Sequence, residues 1–412
     1  MAVLLTRRAV VQAAMESAYN DPAPLTLNDG VLVSEPTYTV EPNILERDFT
    51  RDSLSQTPHI VGRKLAGMEF STELRGNGRQ NSGLAADAAI ITRLFRACGY
   101  ALTEKAAPWV KGVFDVGDHA VGVAWDPDAT NADNTDVIAY FLEVTTAGAS
   151  GMAEIAVTSD QPGEGSAAQT VTSGTPLDVG TRGLQLTPTF TGELIAGQRW
   201  MVWLMPIGLS LDPISDDFES VTLCMYKDGV KHLMPGAFGT FEIEATAGEF
   251  ARINWTFTGT WRPPVDEAMP APKYERTLPA QVELARLRVD GFYAVVEQFT
   301  FDQANDIQVR PDVSSAEGYI GTRIVSRAPE GGINPEADLV ANNDFWSQLA
   351  RADRMPFQMR VGYTPGNTVW VLAPGVQYTG LTYTDRNGIL AYDAGLKFPA
   401  YDTNDEVCFF WC

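Results

Sequence analysis

"LMPGAFGTFEIEATAGEFARINWTFTG", residues 233–259, decides the reading of this chain, because "LAPGVQYTGLTYTDRNGILAYDAGLKF", residues 372–398, repeats its plan. In the earlier stretch Phe241, Ile243 and Ala245 alternate with Glu242, Glu244 and Thr246. Ile253, Trp255 and Phe257 then alternate with Arg252, Asn254, Thr256 and Thr258. Period-two alternation marks strands buried on one face, so the spacing predicts a hairpin lying on a core. The later stretch sets Leu381 and Tyr383 in its first strand and Tyr392, Ala394 and Leu396 in its second, with Gly388 at the turn matching Gly248.

The neighbours of the two hairpins follow the same order. "DGVLVSEPTYTVEPN" (Asp29 to Asn43) is echoed by "DGFYAVVEQFTFDQAN" (Asp290 to Asn305), and "HIVGRKL" (His59 to Leu65) by "YIGTRIV" (Tyr319 to Val325). A helical pattern follows each, "DAAIITRLFRACG" and "NNDFWSQLARAD", and then a strand pair closed by "YKDGV" or "TPGNT". Elements recurring in one order point to tandem duplication. In the first helix Leu84, Ala88, Ile91, Leu94 and Phe95 share a face and Gly99 supplies the stop. Leu5 to Ala18, with Val10, Ala13 and Ala14 at helical spacing before "NDPAP", predicts a further short helix.

The copies differ between Tyr100 and Ser220, where the first is interrupted. The runs "DVIAYFLEVTT", "AEIAVTS", "TVTSGTPLDV", "GLQLTPTFTG" and "RWMVWLMPIGL", cut by turn residues, predict an inserted small β-sandwich. Ala101 to Ser215 holds 14 acidic and 4 basic residues, so the insert is expected to be solvated and to face outward. Five prolines between Arg262 and Ala280 predict an extended linker. The expected organisation is a discontinuous first domain of the repeated type (1–103 and 216–261), an inserted β-sandwich decoration domain (104–215), a Pro-rich linker (262–280) and a second domain of the repeated type (281–412).

Composition limits the function. A chain of 412 residues with 45% hydrophobic content can build more than one core. Its net charge of −22 disfavours tight binding to a phosphate backbone. The apolar start before Arg7 and Arg8 is too short for a secretory leader, and no apolar run approaches the roughly 20 residues that span a membrane, so folding in a cytoplasm without membrane association is expected. The cysteines, Cys98, Cys224, Cys408 and Cys412, are too few for a disulfide framework, and Cys408 and Cys412 with no second pair make a poor zinc site. His59, His119 and His232 stand isolated, giving little material for a metal cluster or a triad. Asp126, Asp128, Asn131 and Asp133 are spaced somewhat like a calcium loop but lack its Gly and distal Glu. No cofactor, metal site or catalytic set is expected; a carboxylate pair drawn from distant positions is invisible to this reading.

The N-terminal "LTRRAVVQAAMESAYNDPAP", the stretch "VSEPTYTVEPNILERDFTRDSLSQTPHIVGRKLAGMEFSTELRGNG", the block "SVTLCMYKDGVKHLMPGAFGTFEIEATAGEFARINWTFTG" and the closing "GLTYTDRNGILAYDAGLKFPAYDTNDEVCFFW" together resemble the major tail tube proteins of long, non-contractile-tailed bacteriophages. The resemblance covers both copies and not the insert. It implies a mainly β protein: two tandem β-sandwich folds, each with a flanking helix, whose inner strands join those of neighbours into a barrel. Rings stacked into a tube would conduct double-stranded DNA without binding it specifically. With two folds per chain, three chains would make a ring of pseudo-sixfold symmetry. The implied partners are further copies of the chain, a tape measure protein, and terminator or baseplate proteins; the implied place is the virion tail, assembled in the host cytoplasm.

An acidic lining would let DNA slide, and Glu242 and Glu244 are candidates for it, or else for an outer solvent face. Arg47, Arg51, Arg63, Lys64, Arg75 and Arg79 cluster in one strand-and-loop region and are candidates for ring-to-ring contact, or ordinary surface charge. Two rival classes stay open at this point: a carbohydrate-binding or adhesive β-sandwich protein, and a β-rich glycosidase with aromatic platforms around an acidic cleft.

Overall fold

The computed structural model describes all residues except 1–4, 6, 51, 53–54, 77, 79–88, 117–121, 284 and 316. At its centre eight antiparallel strands lie side by side in the order Ser34–Leu45, Ile60–Glu73, Arg252–Thr260, Val230–Thr246, Val296–Asp302, Glu330–Pro335, Ile389–Lys397 and Val369–Arg386. The first four strands come from the first half of the chain's pattern and the last four from the second, in the same spatial order, with Glu330–Pro335 standing where Ile60–Glu73 stands and the expected counterpart Tyr319 to Val325 in a separate two-stranded ladder. Glu242–Thr246 pairs with Gln298–Asp302 and joins the two sets into one sheet.

Val230–Thr246 and Val369–Arg386 are the longest strands, with 17 and 18 residues, because each belongs to two layers. Their first halves pair with Val221–Lys227 and Met355–Val361, and their second halves with the hairpin partners Arg252–Thr260 and Ile389–Lys397. Each changes layer around a Pro-Gly pair, Pro235-Gly236 and Pro374-Gly375, and the ladder register shifts there. Proline offers no N–H to a ladder, so a strand parts from its neighbour there at little loss. Gly236 takes φ +62°, a conformation a side chain would strain.

The second layer of the first half runs Gly30–Val31, Ala9–Met15, Val221–Lys227 and Val230–Thr246. That of the second half runs Phe292–Tyr293, Arg288–Val289, Met355–Val361 and Val369–Arg386, and continues into Cys408–Trp411, Gly208–Pro213 and Tyr100–Lys105. One core serves both halves. Phe95, from the helix Ile91–Ala97, lies 4.8 Å from Phe241, 5.0 Å from Trp255 and 4.9 Å from Phe409 between ring centroids. Burying each such ring contributes about 1.5–3 kcal/mol.

The mainly β class is as expected from the sequence; the helix over Leu5 to Ala18 is not. That segment forms the strand Ala9–Met15, which pairs with Val221–Lys227 and is covered on both faces. A run such as "AVVQAAM", apolar but for Gln12, carries no period of its own, and partners distant in sequence decide its state. The first helix buries Ile91, Leu94 and Phe95 and ends before Gly99 at φ +89°; Leu84 and Ala88 lie outside the described residues. The second, Phe345–Arg351, is capped by Asp344, whose carboxylate accepts from Ser347 N at 2.9 Å.

Residues 109–205 build a separate pair of sheets. One holds Ser166–Val171, Ala153–Ser159, Ile138–Thr146, Arg199–Met205 and Trp109–Asp115, in that order; the other holds Leu177–Val179, Leu184–Thr189 and Ala124–Asp128. Between them Trp200, Val202 and Leu204 join a core with Tyr140, Leu142 and Ile155. The alternate residues Met201, Trp203 and Met205 pack the other way, with Phe114, against Trp370, Leu372, Cys408 and Phe410 of the second half. Burial on both faces explains the unbroken apolar run "WMVWLM". Beyond Pro206 that run leaves this sheet, as Gly208–Pro213 pairs with Tyr100–Lys105.

Candidate assembly surface

Alternation along the eight-stranded sheet gives it two unlike faces. Phe70, Phe241, Trp255 and Phe301 point into the core, while Glu69, Glu242, Glu244 and Thr256 point out. The pairing places carboxylates side by side across the strands, since Glu242 stands opposite Asp302, and Asp302 opposite Glu330. Lys397 closes that row. Partial burial, then the charges of Asp302 and Glu244, hold the Glu242 carboxyl above its ordinary value. Glu242 and Glu244 therefore lie on the open face, beside the junction of the two halves.

The sheet has two edges. Ser34–Leu45 pairs on one side with Ile60–Glu73, and the far half of Val369–Arg386, from Leu381 on, pairs on one side with Ile389–Lys397; among the described residues nothing pairs with their other sides. Unpaired N–H and C=O groups along an edge are a template for another strand.

The basic candidates divide. Arg47 is exposed and rests on the Phe49 ring at 5.0 Å, Arg63 is exposed, and the Lys64 ammonium lies 4.6 Å from the Trp261 ring. Arg47 lies in the connection between Ser34–Leu45 and Ile60–Glu73, and Arg63 and Lys64 lie near the start of Ile60–Glu73. Arg75 is buried, donating from Nη1 to the Thr277 carbonyl at 3.1 Å with Glu73 3.5 Å away. Arg51 and Arg79 lie outside the described residues. Sequence reading missed the apolar character of the same region: Val40, Ile44, Leu45, Phe49, Ile60 and Val61 are all exposed. Their signal was there, as large apolar residues in a hairpin that carries few small ones.

Elsewhere the chemistry is that of packing. The His232 ring lies against Tyr38, centroids 4.5 Å apart and tilted by 36°, with burial lowering its pKa, while His119 lies outside the described residues. Asp126 and Asp128 sit on the strand Ala124–Asp128, and Asp128 accepts from Thr130 N at 2.8 Å. Cys408 lies 3.3 Å from Ser210 Oγ, its thiol pushed up to about 12 by burial. Lys111 is ion-paired with Asp212, tying the first strand of the 109–205 unit to the strand that follows it. Among the described residues no group of three or more His, Cys, Asp or Glu side chains could hold a metal ion, and no helix is long and apolar enough to cross a membrane.

The described residues thus form a two-layer β fold in which one strand order occurs twice, with an acidic open face and, among those residues, two sheet edges that pair with nothing. Residues 6–389 match the model of the phage tail tube protein family, and the chain belongs to that family. It is a structural component of a virion tail, of the kind that self-assembles into a tube. No curated protein matches it.

Proposed function

We propose that three copies of this chain close into a ring by pairing the far edge of Val369–Arg386 in one copy with Ser34–Leu45 in the next, and that such rings stack into the tube of a long, non-contractile tail. One observation carries this reading: the chain already contains the junction it would make with its neighbours. Glu242–Thr246 pairs with Gln298–Asp302, an edge of the first half meeting the leading strand of the second. The same meeting between copies would leave no edge unpaired, which is what stops a closed ring from adding strands indefinitely. Three chains with two related halves each give six similar lobes.

In that ring the acidic face carrying Glu242, Asp302 and Glu330 lines the lumen. A duplex with about one charge per 1.7 Å gains counterion release on a basic wall and none on an acidic one, so DNA slides through. Arg47, Arg63 and Lys64 would face the adjacent ring; Arg75, buried within the chain, is better placed to hold the 262–280 segment through Thr277. Residues 104–215 form an inserted domain on the outer wall, between the parts of the first of two duplicated domains. A tape measure protein inside the tube and terminator or baseplate proteins at its ends are the expected partners, with assembly in the host cytoplasm.

Electron microscopy of tubes grown from purified protein, with rotational averaging, tests this. Threefold rings with six inner lobes are expected. Sixfold rings of whole chains would refute the trimer, and particles that stay discrete at every concentration would refute tube assembly by this chain alone.

A further inference from the structure

We infer that the outermost sheet of the inserted domain is an electrostatic spacer: its uncompensated carboxylates hold assembled tubes apart and keep their outer walls from bundling side by side. This rests on the tube, and on the outer position of residues 104–215, proposed above.

Met201, Trp203 and Met205 turn one face of the five-stranded sheet against Trp370, Leu372 and Phe410 of the second half, and Trp200, Val202 and Leu204 turn its other face toward the three-stranded sheet. The three-stranded sheet is therefore the layer farthest from the body of the chain. Trp125, Leu177, Leu184 and Leu186 point inward from it, while Asp126, Asp128, Asp178 and Gln185 are exposed on its outer face. Asp128 stands opposite Gln185, and Gln185 opposite Asp178, to which its Nε2 donates at 2.8 Å. Asp133 and Glu193, in the loops beside this sheet, are exposed as well.

The cations of the insert do not offset this layer. Between residues 101 and 215 stand 14 acidic and 4 basic residues, and each of the four is engaged. Lys111 pairs with Asp212 and Arg199 with Asp290, both in the joint with the rest of the chain, and the Lys105 ammonium sits 4.3 Å from the Trp109 ring. Arg182, in the turn between two of the outer strands, is neutralised at 2.7 Å by Glu164, which is buried. Stacked sheets stand about 10 Å apart, and the field of a surface charge fades over about 10 Å at 0.1 M salt. An approaching tube therefore meets the carboxylates of the outer sheet, while Glu242, Asp302 and Glu330 are screened behind the wall. Two such coats repel, and pressing them together would strip water from carboxylates that have no cation to pair with.

Low-speed pelleting of assembled tubes tests the spacer. Tubes of the unaltered full-length chain are compared with tubes carrying Asp126→Asn, Asp128→Asn, Asp133→Asn and Asp178→Asn together. A charge-matched control carries Glu242→Gln, Glu244→Gln, Asp302→Asn and Glu330→Gln. The new asparagines keep acceptors for Thr130 N and Gln185 Nε2, so the insert variant should melt as the parent does. In about 0.1 M sodium chloride the parent and the control should stay dispersed, while the pelleted fraction of the insert variant rises by about tenfold or more. Electron microscopy should show that pellet as tubes aligned side by side. An insert variant as dispersed as the parent overturns the inference. Equal bundling of the control overturns it too, because net charge rather than the outer sheet would then set the spacing, and so does bundling of the parent. Discrete particles from the unaltered chain would instead defeat the tube reading itself, and the spacer with it.

Discussion

Excising the 109–205 unit asks whether it is ornament or part of the wall. Lys105 stands opposite Gly208 in an antiparallel ladder, so replacing 106–207 by an Asn-Gly turn closes the break as a hairpin without disturbing register. The excision uncovers Trp370, Leu372 and Phe410, each fully buried against Met201, Trp203 and Met205. At about 1.5–3 kcal/mol for each large side chain returned to water, the loss is roughly 5–9 kcal/mol, against a typical total stability of about 5–15. The polar contacts change little, because Gln358, which accepts from Trp203 Nε1 at 2.9 Å, and Arg360, paired with Asp136 at 2.9 Å, regain water when their partners go. We expect the excised chain to unfold at much lower denaturant concentration or to aggregate, and Trp370→Thr, Leu372→Thr and Phe410→Thr together to restore its solubility. Chemical denaturation followed by tryptophan fluorescence measures this. An excised chain with the parental midpoint that still forms tubes would refute the reasoning and return the unit to mere decoration.

Three further outcomes follow from single sites. Trp255→Ala removes a ring packed on Phe95 and Phe241 and a hydrogen bond to Thr72, so a loss of about 3–5 kcal/mol is expected by denaturant titration. Glu242 is held above its ordinary value, so the folded chain takes up this proton before the unfolded chain does, and its unfavourable contribution fades as pH falls through that window. Glu242→Gln should therefore raise the melting temperature at neutral pH and make no difference well below the carboxylate range; a larger effect in acid would show the sign to be wrong. Cys98, Cys224 and Cys408 are buried, with thiols pushed upward by burial, so a thiol reagent at neutral pH should label none of them before unfolding, and rapid labelling would contradict the packing.

What could be read in the sequence followed from half-burial. "TFEIEAT" and "RINWTFT" show their two faces in their spelling, and they are strands with Phe241, Ile243, Trp255 and Phe257 inside. Where burial is complete the spelling fails: "AVVQAAM" looked helical and is a strand, and "RWMVWLMPIGL" looked like one strand and is two, in different sheets. The strands Trp109–Asp115 and Ala124–Asp128 were not anticipated, their alternation being blurred by Lys111 and Pro127. For the surface, charge was visible and neighbourhood was not. Glu242 and Glu244 could be named as acids of an alternating strand, but the row that Glu242 forms with Asp302 and Glu330 depends on strands that are distant in the sequence. Likewise Arg75 reads as one more basic residue until Thr277 is seen against it.

The internal junction also bears on the duplication proposed for this chain. At Glu242–Thr246 the joined strands bring Phe299 and Phe301 into the common core, with Phe301 5.8 Å from Phe241. Such a contact between separate copies has to meet the loss of translational and rotational freedom, about 4–15 kcal/mol. Within one chain, linked through residues 262–280, the same contact is intramolecular and meets only a loop-closure term that grows slowly with length. A ring of three then needs three encounters where a ring of six needs six. In the proposed ring the outer edges must still find partners, and they differ from the inner one: Tyr383, on the far half of Val369–Arg386, is 54% exposed, and Thr37 and Thr39 on Ser34–Leu45 are exposed. The outer edges thus mix polar residues with exposed apolar ones, Val40, Ile44 and Leu45 on Ser34–Leu45, whereas Phe299 and Phe301 at the edge already joined are buried within the chain.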